Sequence, residues 1–206
     1  MSFFPILLDF EGLPCLVAGG GRLGLHKTKL LLENGADVTV IAPEICPELA
    51  ALPVRCLRRT VTAEDVTDCS LVVDATGDPA AQRLLSEACR AQRIPFNSAC
   101  RVDDGSAIFP AVHRQGRTVL ALSTLGASPI ASAKVRDALA AHMPERMDAI
   151  LDAMAALRPR SREAFEDQSR RRDFLRRCLD EMLTLARPLT EEETDEIVHK
   201  IKENTK

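Results

Sequence analysis

Three glycines near the start of the chain form the pattern G-x-G-x-x-G, with Gly19, Gly21 and Gly24 as its members. In a strand-turn-helix context the first glycine permits a tight bend, the second lets a phosphate approach the main chain, and the third lets the helix pack closely on the sheet. Free N–H groups and the positive end of the helix dipole then favour an anion. The pattern therefore predicts a site for the diphosphate of a dinucleotide. The residues expected to form it are Gly19, Gly20, Gly21, Arg22, Leu23 and Gly24.

Two further segments should border the same cofactor, because each follows a predicted buried strand. Pro43 and Glu44 lie about 20 residues after the glycines, where an acidic residue normally binds the 2′-hydroxyl of the ribose. No Arg or Lys stands there to bind a 2′-phosphate, so we predict NAD rather than NADP. Thr76, Gly77 and Asp78 form the second segment. Asp78 either caps the next helix or contacts the cofactor, and the sequence leaves both alternatives open.

The elements that would hold these residues alternate between strand and helix. Apolar runs predict strands near residues 4–8, 15–18, 38–42, 54–57, 70–75 and 94–99. Helical patterns separate several of them, at residues 23–34, 47–52 and 79–92. Residues 107–112 and 118–122 predict a hairpin that departs from the parallel pattern. The alternation favours an α/β fold with a Rossmann-like parallel sheet.

From residue 128 onward the sequence predicts only helices. Ser128 and Pro129 are typical of a helix start, and we expect helices over residues 128–142, 146–157 and 161–186. Thr190 and Glu193 form a capping box for a last helix. The chain should therefore divide after residue 112, where the Rossmann part ends, and after residue 142, where an all-helical tail begins.

The composition excludes several classes of protein. A net charge of −3 over 206 residues and the absence of Trp and Tyr argue against a nucleic-acid-binding protein. The seven cysteines are odd in number and scattered, with no C-x-x-C, so we expect reduced thiols and no metal site. The chain contains neither a signal-peptide pattern nor an apolar run of about 20 residues. We therefore expect a cytoplasmic protein that does not bind a membrane.

The ordered set of motifs along residues 3–140 resembles the precorrin-2 dehydrogenase family. This family is the NAD-dependent module at the start of siroheme synthases, and the chain resembles its stand-alone form. Generic Rossmann enzymes lack the paired glycines and the S-T-x-G-x-S-P segment. The likeness is carried by F-P-I-L at 4–7, L-V-A-G-G-G at 16–21, V-I-A-P at 40–43, D-A-T at 74–76, F-P at 109–110 and S-T-L-G-A-S-P at 123–129.

The resemblance implies oxidation of precorrin-2 to sirohydrochlorin by NAD⁺, on the route to sirohaem or other modified tetrapyrroles. It also implies a homodimer. The chain would then consist of a Rossmann-like parallel sheet at residues 1–112, a dimerisation segment at residues 113–142 and an all-helical C-terminal tail at residues 143–206. Some relatives also insert iron into the product. The carboxylates of the tetrapyrrole need polar and cationic partners. The candidates for substrate binding are Asn97, Arg117, Ser123, Thr124, Ser128 and Lys134.

One departure from the family concerns the candidate catalytic residues. Relatives carry an Asp three residues after the equivalent of Asn97, and this chain has Cys100 there, with Asp103 and Asp104 close by. Either carboxylate is a candidate proton acceptor or a solvated loop acid, and Cys100 is a candidate iron ligand or a buried small residue. Dehydrogenation is the leading hypothesis. The alternatives are a sirohydrochlorin ferrochelatase and a non-catalytic protein that binds NAD or a tetrapyrrole.

Overall fold

The computed structural model describes residues 3–99 and 104–203. The chain forms two compact units. The first contains residues 1–109 and 125–128, and the second contains residues 110–124 and 129–206. The domain boundaries after residues 112 and 142 stay predictions.

The first unit contains a parallel sheet of five strands. The strands are β1 (Pro14–Ala18), β2 (Asp37–Ile41), β3 (Arg55–Leu57), β4 (Leu71–Asp74) and β5 (Phe96–Ser98). Their order in the sheet is β3-β2-β1-β4-β5. From β1 the chain adds β2 and β3 on one side and then β4 and β5 on the other side, so the strand order reverses between the neighbouring strands β1 and β4. All of β4 is buried, which explains its continuous apolar sequence. The predicted Rossmann-like parallel sheet is confirmed.

Helices cover both faces of this sheet. They are α1 (Arg22–Leu32), α2 (Pro47–Ala50) and α3 (Pro79–Gln92), and a 3₁₀ turn lies at Ala63–Val66. On one face Leu31 of α1 packs with Val17 and Val73, and on the other Leu85 of α3 packs with Val72. Burial on two sides accounts for the apolar runs that predict these strands.

The second unit begins with a hairpin and continues with four helices. The hairpin strands are β6 (Ala111–Gln115) and β7 (Thr118–Leu122), and the helices are α4 (Pro129–Ala140), α5 (Met147–Ala164), α6 (Gln168–Leu185) and α7 (Glu191–Glu203). Ile150, Phe174 and Met182 form the buried centre where α5, α6 and α7 pack. The capping box predicted for α7 is present, because Glu193 N–H donates to Thr190 Oγ1 at 3.2 Å and Thr190 N–H donates to Glu193 Oε2 at 2.8 Å.

The strand predicted at residues 4–8 is wrong. This segment has no regular structure, and Phe4 and Leu7 are 84% and 79% exposed. An apolar run becomes a strand only when another strand accepts its backbone hydrogen bonds, and the sheet of the first unit has β3 and β5 at its edges.

The single helix predicted over residues 161–186 is also wrong. The helix α5 continues through Pro159 to Ala164, and the backbone is extended at Phe165. The Phe165 ring is buried beside Phe174, with ring centroids 5.7 Å apart. Asp167 then caps α6 by accepting a hydrogen bond from the N–H of Arg170 at 3.1 Å. Burial of an aromatic ring and a new cap together favour the break.

Within residues 3–99 and 104–203, no helix has the length and apolar character needed to cross a bilayer.

Candidate functional site

Three loops of the first unit begin at the same edge of the sheet. Gly19 N–H donates to the carbonyl of Ile41 at 2.9 Å, and Ala75 N–H donates to the carbonyl of Ala18 at 2.7 Å. The ladders therefore continue one residue beyond β1 and β4. The loops after β1, β2 and β4 meet where the strand order reverses, which is the place where open α/β sheets bind ligands.

The first and last glycines of the motif are required by close packing. Gly19 has φ +124°, and a Cβ there would lie 2.6 Å from the carbonyl carbon of Ala75. A Cβ on Gly24 would lie 2.9 Å from the carbonyl carbon of Gly19. Real Cβ atoms do not approach backbone so closely, because packed interiors have no room to yield. These two positions therefore keep α1 tight against the turn.

The middle glycine faces open space. A Cβ built on Gly21 would meet nothing within 4 Å, and Gly21 is exposed. Gly21 is the N-cap of α1, no side chain of the described residues caps it, and the first turn of the helix carries no acid. The N–H groups of the first turn have no partner within the helix, so they are available to an anion. A diphosphate fits this cradle, and Gly21, Arg22 and Leu23 would hold it.

Gly20 has a packing role that the motif does not predict. A Cβ on Gly20 would lie 2.7 Å from the Cα of Ile45, and Cys46 N–H donates to the carbonyl of Gly20 at 2.9 Å. The loop after β2 therefore packs directly on the glycine turn. Pro43 and Glu44 lie in that loop and are both exposed.

The loop after β4 is held by a chain of hydrogen bonds. Asp74 Oδ1 accepts from the N–H of Thr76 at 3.0 Å and from its hydroxyl at 2.6 Å. Thr76 Oγ1 accepts from the N–H of Asp78 at 3.1 Å, and Asp78 Oδ1 accepts from the N–H of Ala80 at 2.9 Å. Asp78 is therefore the N-cap of α3, one of the two predicted alternatives. Contact between Thr76, Gly77 or Asp78 and a cofactor stays a prediction.

The loop after β5 carries the candidate catalytic residues. Cys100 and Asp103 lie outside the described residues. Asp104 is exposed, its Oδ2 accepts from Gln82 Nε2 of α3 at 2.6 Å, and its carbonyl accepts from Ser86 Oγ at 3.4 Å. Sequence reasoning missed Gln82, although a glutamine on the inward face of a helix is a signal that a buried amide needs a partner.

Asn97 has a partner inside the first unit. It is buried on β5, and its Nδ2 donates to the carbonyl of Ala107 at 2.9 Å. Phe96 N–H donates to Ser106 Oγ at 2.9 Å in the same segment. Asn97 thus attaches residues 106–107 to the sheet, and its substrate role stays a prediction.

Most of the other substrate candidates lie in the second unit. Arg117 binds α5, since its guanidinium pairs with Asp152 at 2.6 Å and with Asp148 at 3.7 Å. Thr124 Oγ1 lies 2.9 Å from Ser132 Oγ. Ser123 and Lys134 are exposed in this unit, whereas Ser128 belongs to the first unit. The structure assigns Arg117 an anchoring contact, and substrate binding by this set stays a prediction.

A lysine on α1 has an aromatic partner that the sequence did not reveal. Lys27 Nζ lies 4.3 Å from the centroid of the Phe109 ring. Burial lowers the pKa of Lys27, and the face of an aromatic ring attracts the cation. The contact connects α1 to the last residue of the first unit's main segment.

The buried thiols are unreactive acids. Burial raises the pKa of Cys15 and Cys89 to about 12 and that of Cys178 to about 11. Thiols with such pKa values are protonated near neutral pH and are poor nucleophiles and ligands. Among the residues that the structure describes, no cluster of His, Cys, Asp and Glu could hold a metal ion.

Comparison with known proteins places this site in a family. The sequence profile of the family described as "Putative NAD(P)-binding" matches residues 6–111. The chain belongs to this NAD(P)-binding family. The match covers all five strands of the parallel sheet and the three loops of the candidate site.

Relatives of this NAD(P)-binding chain include siroheme synthases. It is 35% identical over 184 residues to the siroheme synthase of Methylococcus capsulatus and 34% identical over 189 residues to that of Nitrosospira multiformis. Each match covers 87% of this chain but only 39% and 40% of the respective relative. The chain thus spans about two fifths of the length of these relatives.

A solved structure matches over the whole chain. SirC, a precorrin-2 dehydrogenase, superposes with a TM-score of 0.68 at 26% identity, and the match covers 98% of this chain and 100% of SirC. Together with the siroheme synthases, this likeness confirms the family predicted from the motifs. A nicotinamide cofactor is the ligand that this family and the glycine turn have in common.

Proposed function

We propose that the protein oxidises precorrin-2 to sirohydrochlorin with NAD⁺ as the hydride acceptor. The observation that carries the proposal is the open cradle at Gly21, which lies where the strand order reverses and where a Cβ would meet nothing within 4 Å. The likeness to SirC, a precorrin-2 dehydrogenase, over the whole chain supports the choice of substrate.

In this proposal the chain binds and orients, and the cofactor accepts the electrons. The N–H groups at Gly21, Arg22 and Leu23 hold the diphosphate, with the loops after β2 and β4 on either side. A nicotinamide held there would supply the hydride acceptor. The substrate also loses a proton, so the reaction needs a group that accepts it.

Asp103 and Asp104 remain the proposed proton acceptors, and Cys100 remains a candidate catalytic residue as an iron ligand. Gln82 fixes one carboxylate oxygen of Asp104 at 2.6 Å, which orients the exposed group without neutralising its charge. A base held in one orientation transfers a proton more efficiently than a mobile one. Single substitutions to Asn or Ala at the two aspartates would identify the acceptor by the larger loss of kcat.

The carboxylates of the substrate would be bound by the residues of the S-T-L-G-A-S-P segment and by nearby cations. Lys134 is exposed, so it can present its charge to an anion, whereas Arg117 is exposed but already pairs with Asp148 and Asp152 and would have to exchange these partners for the substrate. The proposed substrate-binding set is Asn97, Arg117, Ser123, Thr124, Ser128 and Lys134.

The choice of NAD over NADP rests on Glu44. This acid is exposed in the loop after β2, and the loop packs on the glycine turn through Gly20. A carboxylate accepts a hydrogen bond from a ribose hydroxyl and repels a 2′-phosphate. The wild-type protein should therefore bind NAD⁺ more tightly than NADP⁺, and Glu44→Gln should narrow the difference. Equal affinities in the wild type would contradict the assignment.

We also propose that the protein is a homodimer joined through residues 113–142. Ile130, Val135 and Leu139 of α4 are 82%, 46% and 48% exposed, and apolar surface of this kind favours association. Light scattering should give twice the mass of one chain for the wild type and the mass of one chain for Ile130→Glu. Arg158→Glu on α5 is the control, because it changes charge at an exposed position outside this segment.

The direct test of function is turnover. Purified protein is mixed with precorrin-2 and NAD⁺ without oxygen, and NADH and sirohydrochlorin are followed together. One NADH should form for each sirohydrochlorin, faster than in a protein-free control. Binding without acceleration would identify a non-catalytic binding protein. Insertion of iron into sirohydrochlorin without any NAD-dependent oxidation would identify a ferrochelatase.

A further inference from the structure

A buried acid ends the strand β4 at the edge of the sheet where the candidate site lies. Asp74 is 1% exposed and pairs in register with Ala18 of β1 and Ser98 of β5. A carboxylate is costly to bury unless hydrogen bonds compensate for the lost water. Its Oδ1 accepts two hydrogen bonds, both from Thr76, and its Oδ2 has no partner among the described residues. Burial of Oδ2 without a hydrogen bond lowers the stability of the fold, whereas the hydrogen bonds to Oδ1 fix the loop after β4.

The loop fixed by Asp74 packs on the glycine turn. A Cβ on Gly19 would lie 3.0 Å from the backbone nitrogen of Thr76, which is the atom that donates to Asp74. The Thr76 hydroxyl donates to Asp74 and accepts from the N–H of Asp78, so one side chain sets the backbone on both sides of Gly77. Gly77 has φ +72°, and the space beside its Cα is open.

We propose that Asp74 is a positioning residue for the dinucleotide, which holds Thr76 against the glycine turn and keeps the main chain at Gly77 open to the ligand. The inference rests on the proposed function only in taking the ligand to be a nicotinamide dinucleotide. Asp74 touches neither cofactor nor substrate in this scheme. It acts through Oδ1 and Thr76, so the shape of the carboxylate matters and its charge does not.

The test measures NAD⁺ affinity by calorimetry on the full chain. Asp74→Ala should raise Kd about ten-fold, equivalent to about 1.4 kcal/mol. Thr76→Val should raise Kd by a smaller factor, because the backbone N–H of residue 76 still donates to Asp74. Asp74→Asn should bind almost as the wild type does, because its amide oxygen can still accept both hydrogen bonds.

Asp167→Ala is the matched control. Asp167 also accepts a hydrogen bond from a backbone N–H, at 3.1 Å, but it caps α6 in the second unit. The Asp167→Ala substitution should lower the unfolding temperature and leave the Kd for NAD⁺ unchanged. A general loss of stability would therefore not imitate the effect expected for Asp74→Ala.

Hydrogen exchange of the Thr76 and Asp78 amides, measured without cofactor, separates this inference from the proposed function. Exchange should accelerate at both amides in Asp74→Ala and stay slow in Asp74→Asn. Unchanged exchange, or an Asp74→Asn variant that binds as weakly as Asp74→Ala, would overturn the inference. A wild-type protein that binds no dinucleotide would overturn the proposed function even if the exchange result held. If Asp74→Ala does not fold, the other two variants test the inference: Thr76→Val should bind NAD⁺ more weakly than Asp74→Asn, and equal Kd values would overturn it.

Discussion

Replacing Gly21 by Asp should separate folding from cofactor binding. Gly21 is the N-cap of α1, its backbone is extended (φ −89°, ψ −166°), and a Cβ there meets nothing within 4 Å. Aspartate is a favoured N-cap, because its carboxylate accepts a hydrogen bond from the N–H groups of the first turn. The variant should therefore fold, with α1 more stable by a few tenths to about 1 kcal/mol.

The same carboxylate should prevent binding, since it occupies the N–H groups that the diphosphate needs. Two unit charges about 5 Å apart repel by about 0.8 kcal/mol in water and about 3 kcal/mol at the effective dielectric constant of a protein surface. An increase in Kd of about 4- to 150-fold follows from repulsion alone. The steric block at the cradle adds to this, so the loss should be at the upper end or beyond.

The chain contains no Trp or Tyr, so binding is best followed by calorimetry or by the fluorescence of NADH itself. Gly24→Ala is the control variant, because it should destabilise the fold without placing a charge at the cradle. Alanine gains about 1 kcal/mol in helix propensity, but its Cβ would lie 2.9 Å from the Gly19 carbonyl carbon, and such overpacking costs about 1–3 kcal/mol. A Gly21→Asp variant with wild-type affinity would refute the position of the diphosphate. A variant that melts well below the wild type would refute the open cradle.

Three further results are expected. Arg187 holds the pKa of Glu193 down to about 2, from an ordinary value of 4.5, so this pair stabilises the fold above pH 4.5 and the contribution is lost as the pH falls toward 2. The melting temperature of Glu193→Gln should therefore be lower than that of the wild type at pH 7 and equal to it at pH 2. A difference in melting temperature that stays constant with pH would contradict the assignment. Burial raises the pKa of Cys15 and Cys89 to about 12, so both should resist a thiol reagent at pH 7 until the protein is unfolded, which mass spectrometry of the labelled peptides checks. Arg117→Ala should lower the melting temperature slightly, because exposed ion pairs contribute at most about 1 kcal/mol, and should leave the Kd for NAD⁺ unchanged; a raised KM for precorrin-2 in the same variant would support its substrate role.

Local signals predicted the parts of the fold that depend on neighbours in sequence. The glycine turn, the cap of α3 at Asp78 and the capping box at Thr190 each involve groups a few residues apart. Backbone geometry over such short spans follows from residue type, so the sequence suffices. The βαβ order and the meeting of the loops after β1, β2 and β4 at one sheet edge followed from the same signals.

Contacts between distant segments were not predictable in this way. Gly20 is needed because Ile45 lies against it, and Gln82 has its role because Asp104 lies beside α3. The segment at residues 4–8 has the composition of a strand but no neighbour to pair with. The break at Phe165 was missed because Asp167, a good N-cap, stands among helix formers whose summed propensity outweighed it. Each of these outcomes is decided by packing, which spacing along the chain does not encode.

The helix α3 has a consequence for how the binding of two ligands is coupled. Its first turns are attached to the loop after β4 through Asp78 and to the loop after β5 through Gln82 and Ser86. A helix moves as a rigid rod, so a coenzyme that shifts one loop must carry the other with it. Thermodynamic linkage then requires that whatever binds beside Asp104 alters coenzyme affinity by the same factor in return. We therefore expect the Kd for NAD⁺ measured with the tetrapyrrole present to change by the same factor as the Kd for the tetrapyrrole measured with NAD⁺ present, and calorimetry checks whether the two factors agree.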